Sequence, residues 1–457
     1  MYGGAPNVIA NAVLLAAIPA MFALVNSQPR ARAVAVGVVF AALFFPEGVV
    51  FSLPVKPDLD KHKLVPLLLL IGLLVSRQPK DVAPKTNHLA LCAGILFVGS
   101  IGSVLNNMYP IPIGAGMALP ALNLTNVLTK FLEVTFYYIV PFQLGRIAFA
   151  TPENIATLLR WIAIFGVLYT PFMITEMVAG PEMNVWVYGY HQHDPAQAMR
   201  DGGFRPMVFM AHGLAVSLFI ATGIFSSVIL GQIGQKILGL PAYLVAVYLG
   251  IVLSLCNSTG ALIYGVLVPP LLLFASPRLI SKLASWIGIL IVSIPLLRAV
   301  EIIRIWDIIR FVEKFSPARA QSLAFRFSSE EMFLEKWTHQ PWFGYGGNAR
   351  GFVYDEFGRG LTIPDSTWIL LISEYGLFGF AGFFFLLLGP VWFARKVIVQ
   401  AQDKQFQILF SGMVMILLII TFELTINGLF TIFPLLFAGA VLGSCENFRQ
   451  AQPNPSR

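Results

Sequence analysis

Apolar runs of about 18–25 residues recur along this chain from end to end, each long enough to cross the hydrocarbon core of a bilayer as a helix. Nothing else in the sequence constrains the fold as strongly. In lipid a backbone must satisfy its own N–H and C=O groups, which leaves helices or a closed barrel, and runs of this length are helical. The 457 residues are 57% hydrophobic and 12% charged, with a mean hydropathy of +0.76. A soluble domain carries about 25% charged residues. The expected fold is therefore an all-α polytopic membrane protein of about 12–13 transmembrane helices. The runs begin near Asn7, Ala33, Lys63, His88, Leu124, Ile155, Met207, Ile237, Ala261, Ala284, Ser366, Phe406 and Asn427. The first follows MYGGAPN, which has neither a basic leader nor a cleavage motif, so a retained helix is expected.

Three segments follow from this pattern: a helical bundle over 1–301, a polar loop over 302–365, and C-terminal helices with a short tail over 366–457. The tail AQPNPSR reads as disordered. Cys92, Cys256 and Cys445 fall in or beside apolar runs and form no CxxC pair, which argues against metal and disulfide roles. The net charge is +7. Short-loop cations at Arg30/Arg32, Arg77/Lys80/Lys85, Arg146, Lys236, Arg278/Lys282 and Arg395/Lys396/Lys404, and the tail from Arg449, fall on one side if every run spans. By the positive-inside rule that side is cytoplasmic, with the N-terminus outside and the C-terminus inside.

Two longer connections then lie outside, 180–206 and 302–365. Their arginines sit where topology disfavours positive charge, so Arg200, Arg205, Arg304, Arg310, Arg319, Arg326, Arg350 and Arg359 need another reason to be there. Contact with an anionic lipid or phosphate is one. Acids balance bases in the second loop, which points to a few placed arginines. Within it, SSEEMFLEKW reads as a short helix, with Ser328 and Glu331 at capping-box spacing and Arg326 just before it. Phe333, Leu334 and Trp337 would share one face. Pro341 and the glycines at 344, 346 and 347 predict a tight turn.

The order of these features is Arg326, then Pro341-Trp342-Phe343-Gly344-Tyr345-Gly346, then Asp365-Ser366-Thr367-Trp368-Ile369, then Glu374-Tyr375-Gly376 and Gly379. It resembles the O-antigen ligase/O-antigen polymerase superfamily, in which an Arg precedes a helix ending in P-x-F-G-x-G and a His-Asn-x-x-Leu segment opens a helix continuing as Glu-x-Gly-x-x-Gly. Upstream, RDGGFRPMVFMAHGLA is similar to that family's Arg-x-x-Gly-x-Phe segment, and NSTGALIYG to its Ser-Arg-Gly segment with the arginine absent. The loop-end His of the family is Asp365 here, which leans away from ligation onto lipid A-core and toward an O-antigen or exopolysaccharide polymerase-like member.

The resemblance implies a bacterial inner-membrane glycosyltransferase that moves a glycan from undecaprenyl pyrophosphate to a sugar hydroxyl on the periplasmic face. Its implied partners are an undecaprenyl-pyrophosphate-linked oligosaccharide, an acceptor glycan and membrane lipid. A flippase and a chain-length regulator would be consistent companions. No nucleic acid, cofactor or metal is implied. Arginine grips phosphate oxygens in pairs and can stabilise a leaving pyrophosphate. Arg200, Arg205, Arg326 and Arg350, with Trp337 and Tyr345, are the candidate pyrophosphate and glycan contacts. Asp365 and Glu374 are the candidate catalytic carboxylates, able to take the acceptor proton if they reach it.

Plainer readings stand beside each assignment. Arg326 could make a surface or structural ion pair. Arg200 and Arg205 could snorkel to the interface, and Asp365 could cap its helix. Glu374, an acid inside an apolar run, could pair with a structural cation. His191-Gln192-His193-Asp194 reads as a solvated loop, His212, Glu423 and Asn427 as interhelical hydrogen bonds, and the glycines as a plain turn. Two other function classes also fit an apolar chain. A transporter or flippase of a lipid-linked saccharide would show repeated halves, broken helices and ionisable groups near the midplane, whereas this sequence has no repeat and clusters most ionisable residues on one outer face. A non-catalytic scaffold would not need the arginines.

Overall fold

A computed structural model describes residues 4–52, 57–76, 86–200, 202–303, 305–428 and 432–451, with their side chains except those of residues 200, 318, 319, 322 and 451. The orienting cations at 77, 80 and 85, the arginine at 304 and the tail beyond Ala451 lie outside the described residues. The described chain is mostly helix. The helices are α1 (Val8–Ser27), α2 (Arg30–Phe44), α3 (Lys61–Val75), α4 (His88–Leu105), α5 (Leu124–Val134) and α6 (Val140–Ala148). Next come α7 (Pro152–Ala179), α8 (Met183–Tyr188), α9 (Gly213–Gln232), α10 (Ala242–Ser254), α11 (Thr259–Phe274) and α12 (Pro277–Ala299). The polar loop contributes α13 (Ile305–Glu313) and α14 (Pro317–Trp337), and the chain closes with α15 (Thr367–Gln400), α16 (Lys404–Ile426) and α17 (Phe433–Ala451).

Seven of these, α1, α4, α7, α9, α12, α15 and α16, are long and apolar enough to cross a membrane, while α10 and α11 are shorter apolar helices. The outer faces stay apolar as well: Leu244, Val247, Ile251, Val266 and Leu267 are exposed. A surface of that kind suits lipid, not water. Inside, α15 packs on α4, α12, α16 and α17, and α9 is surrounded by α7, α10, α11 and α16.

Local chemistry sets the helix starts. Asn7 accepts from the Ala10 N–H at the head of α1, and Asp60 from the His62 and Lys63 N–H groups at the head of α3. Thr151 and Ser276 cap α7 and α12 ahead of Pro152 and Pro277, prolines suited to a first turn whose N–H groups have no helical partner. A capping box of Asn123 and Asn126 opens α5. Between α5 and α6 the helix does not stop. A π-turn over Thr135–Ile139 joins them, so one rod runs from Leu124 to Ala148.

One expectation for the polar loop is overturned. The helix there does not begin at Ser328. It begins at Pro317, after Ser316, and runs 21 residues. Ser328 lies inside it and its hydroxyl donates to the Phe325 carbonyl at 2.9 Å. Arg326 is therefore a mid-helix residue, on the same face as Glu330 one turn on.

Candidate functional site

The α14 helix is stapled to the segment that opens α15 at three points. Arg326 Nε lies 3.3 Å from Asp365 Oδ2. Ser329 Oγ donates to the Ile363 carbonyl and accepts from the Ile363 N–H, both at 2.8 Å. Glu330 accepts from the Ser366 hydroxyl at 2.8 Å and also pairs with Arg298 of α12. Arg326, Ser329 and Glu330, within about one turn of a single helix, thus meet 365, 363 and 366 in turn, which fixes the register between α14 and α15. Arg298 and Glu330 are each 7% exposed. The Arg326–Asp365 pair is open, with side chains 36% and 29% exposed.

Asp365 is not the helix cap. The N-cap of α15 is Ser366, whose hydroxyl goes to Glu330 and not to the helix backbone. The Asp365 carboxylate turns to Arg326 instead. Arg326 also donates from Nη1 to Asn427 Oδ1 at 3.2 Å, and the Asn427 amide donates to Glu423 at 2.6 Å. Glu423 accepts from Tyr264 of α11 at 2.8 Å. Glu423 and Asn427 do act as interhelical links, and the link ends on the candidate arginine.

The two glycine-bearing motifs interlock. At Gly376 the backbone leaves the helical region (φ 62°, ψ −158°), breaking α15 after Tyr375. The P-W-F-G-Y-G turn fills the break. Tyr345 and Gly346 N–H groups donate to the Ser373 and Glu374 carbonyls at 2.8 Å each, and the Leu377 N–H donates to Pro341 at 2.9 Å. A Cβ on Gly376 would fall 2.3 Å from the Trp342 carbonyl. Close backbone approach is what Gly344 and Gly376 supply.

The other candidates have structural partners. Arg205 is buried and donates twice to the Asn257 carbonyl, at 3.1 and 2.7 Å, joining the RDGGFRP segment to NSTGALIYG. Arg350, 1% exposed, ends on three backbone carbonyls: Pro120 at 2.5 Å, Asn107 at 3.2 Å and Tyr109 at 2.8 Å. It clasps the α4–α5 connection to the polar loop. Trp337 is buried with its indole N–H on the Pro341 carbonyl at 3.0 Å. Tyr345 is buried with its hydroxyl on the Lys336 carbonyl at 2.8 Å. Burial, and then the nearby Arg350 charge, push the Lys336 ammonium below the usual lysine range. For Arg200 the backbone lies in a two-residue hairpin opposite Gly203, and its side chain is outside the described part.

Glu374 sits apart from Asp365, on the wall of a cavity of about 310 Å³ between α3, the α5 rod and α15. Behind that wall Lys130 Nζ is 3.8 Å from Glu374, 2.8 Å from Glu133 and 3.1 Å from the Tyr375 hydroxyl. Asp60 and Lys63 at the head of α3 complete the polar lining. Thr367 and Gly428 also line it, and the Gly428 N–H donates to the Asp365 carbonyl, so the cavity begins beside the Arg326–Asp365 pair.

No protein-family model matches the chain, and a search of curated proteins gives no match. Reading the sequence singled out Arg326, Asp365 and Glu374 and passed over Lys130, Glu133, Asp60 and Lys63. A signal was present in LTKFLEV, where a Lys and a Glu at i,i+3 interrupt an apolar run. Among the described residues no group of three or more His, Cys, Asp or Glu is arranged to hold a metal ion.

Proposed function

We propose that the protein is a membrane glycosyltransferase that moves a glycan from a polyprenyl-pyrophosphate carrier, of the undecaprenyl kind, to a sugar hydroxyl. The reading rests on one observation above the rest. An arginine and a carboxylate, Arg326 and Asp365, are held 3.3 Å apart, partly exposed, by a helix register that two further contacts, Ser329 to Ile363 and Glu330 to Ser366, enforce. In this scheme the acceptor oxygen bonds to the donor's anomeric carbon as the bond from that carbon to the pyrophosphate oxygen breaks. The hydroxyl proton passes to the Asp365 carboxylate and on to water. The carrier pyrophosphate leaves with its new charge facing Arg326, where a fixed cation lowers the barrier. Arg205, Arg350, Trp337 and Tyr345 shape the site in this account, and Glu374 belongs to the neighbouring cavity.

The fuller arrangement has about 12–13 spans, a large periplasmic loop over 302–365, an outer N-terminus and a cytoplasmic C-terminus in a bacterial inner membrane. A polymerase in O-antigen or exopolysaccharide assembly fits better than a ligase, because Asp365 stands where the resembled ligases carry His. The test uses purified protein and a lipid-linked oligosaccharide, without nucleotide sugar. Elongation with release of undecaprenyl pyrophosphate is expected, and Arg326→Ala should abolish it while leaving membrane insertion intact. Normal polymer yield from Arg326→Ala would sink the assignment. A wild type that makes no product yet moves labelled lipid across liposomes would make the protein a transporter.

A further inference from the structure

The cavity beside the Arg326–Asp365 pair has a charge balance that says what it takes. Three carboxylates, Asp60, Glu133 and Glu374, stand against two ammonium groups, Lys63 and Lys130. Asp60 is spoken for: it caps α3 and pairs with Lys63 at 3.3 Å. The excess negative charge therefore lies on Glu133 and Glu374, which share the single ammonium of Lys130. Both keep 32% of their side-chain surface open, and both line the cavity. A phosphate would meet net repulsion here. A neutral ligand with many hydroxyls would not: each ionised carboxylate is acceptor-only, with oxygens left to take hydroxyl protons.

The walls agree with that chemistry. Tyr137, Tyr138 and Tyr375, with Leu370 and Leu371, give the cavity an apolar and aromatic lining beside its charged groups. At about 310 Å³ it lies at the lower end of the ~300–1,000 Å³ range of small-ligand pockets. Tyr137 and Tyr138 sit in the π-turn of Thr135–Ile139, and such turns in α-helices are frequent at functional sites. Gly347 packs against the same charged cluster: a Cβ there would come within 2.8 Å of Lys130 Nζ and 3.3 Å of the Glu374 carboxylate.

We infer that this cavity is a saccharide subsite, holding the terminal sugar of the acceptor through hydroxyl hydrogen bonds to Glu133 and Glu374, and that it excludes the pyrophosphate. The inference rests on the transferase reading above and adds to it a division of labour. The anionic end of the donor stays at Arg326, and the neutral acceptor occupies the cavity one step inward.

The experiment is saturation-transfer NMR on the full-length protein in detergent. The probe is the lipid-free oligosaccharide released by mild acid from the lipid-linked donor. Saccharide binding to wild type is expected, with at least tenfold weaker binding to Glu133→Gln, which keeps the side-chain size, and to Leu370→Trp, which fills the cavity without altering charge. Inorganic pyrophosphate should not displace the probe. In the elongation assay both variants should raise the acceptor KM while the donor KM stays put. Unchanged saccharide binding in both variants, no binding to wild type, or displacement by pyrophosphate would each overturn the inference. Elongation unaltered in both variants would overturn it too while leaving the transferase reading intact. A wild type that binds saccharide in a Glu133-dependent way but never elongates would support the cavity's role and refute the transferase.

Discussion

Gly376→Ala should unfold or inactivate this protein while Gly360→Ala does nothing, and the difference can be worked from the backbone. Gly376 has φ 62° and ψ −158°, a region open essentially to glycine alone. Forcing an alanine there costs about 1–3 kcal/mol. The added Cβ would also stand 2.3 Å from the carbonyl carbon and oxygen of Trp342 and 2.5 Å from the Phe343 nitrogen. Those are main-chain atoms of the interlocked turn and cannot swing aside as a side-chain tip can. Overpacking of this sort adds about 1–3 kcal/mol. The combined loss of about 2–6 kcal/mol is a large share of a stability of about 5–15 kcal/mol. Gly360 is the internal control, since a Cβ there meets nothing within 4 Å. The assay is the fraction of monodisperse protein left after stepwise heating in detergent, read by fluorescence-detected size exclusion. Coincident melting curves for the two variants would refute the interlock as a source of stability.

Other expectations follow from the same contacts. Asp365→Asn keeps a hydrogen-bond acceptor for Arg326 but loses the proton acceptor, so turnover should fall by roughly 10²–10⁴-fold with carrier binding retained; unchanged turnover would reduce Asp365 to a partner that only orients Arg326. Arg350→Met leaves three carbonyls without their donor and should lose stability by about 1–3 kcal/mol, measured as a lower melting temperature. Arg298→Met strands Glu330 and should lose about 3–5 kcal/mol, whereas pairing it with Glu330→Met should restore most of that stability; equal melting of the single and double variants would remove the ion pair from the account.

The long helices were legible because lipid demands length and apolarity, and both are local properties of a run such as Gly213–Gln232. Arg326 and Asp365 each stand out in the sequence because their motifs follow one another in a set order, but their pairing shows only in the fold. The start of α14 was missed although Ser316-Pro317 carries its signal, because Ser328 and Glu331 imitate a cap at the right spacing. Arg350 looked like a phosphate ligand because nothing local reveals that three carbonyls of a distant connection surround it. The Lys130–Glu133–Glu374 cluster was harder still. Its members sit in two helices far apart in sequence, each in an apolar run, and only packing brings them together.

The π-turn in the Leu124–Ala148 rod makes the length of that segment count to the single residue. A π-turn carries one residue more than the α-helix around it needs. Deleting a residue between Thr135 and Ile139 would leave a helix whose ladder lacks only the bond that Pro141, without an N–H, cannot make. Yet each residue of an α-helix turns by about 100°, so the deletion would shift Tyr137 and Tyr138 from the places on the cavity wall that the π-turn gives them. Substitutions along this helix are cheap wherever they face lipid. A one-residue gap, invisible to hydropathy and harmless to helicity, is the change it should tolerate least.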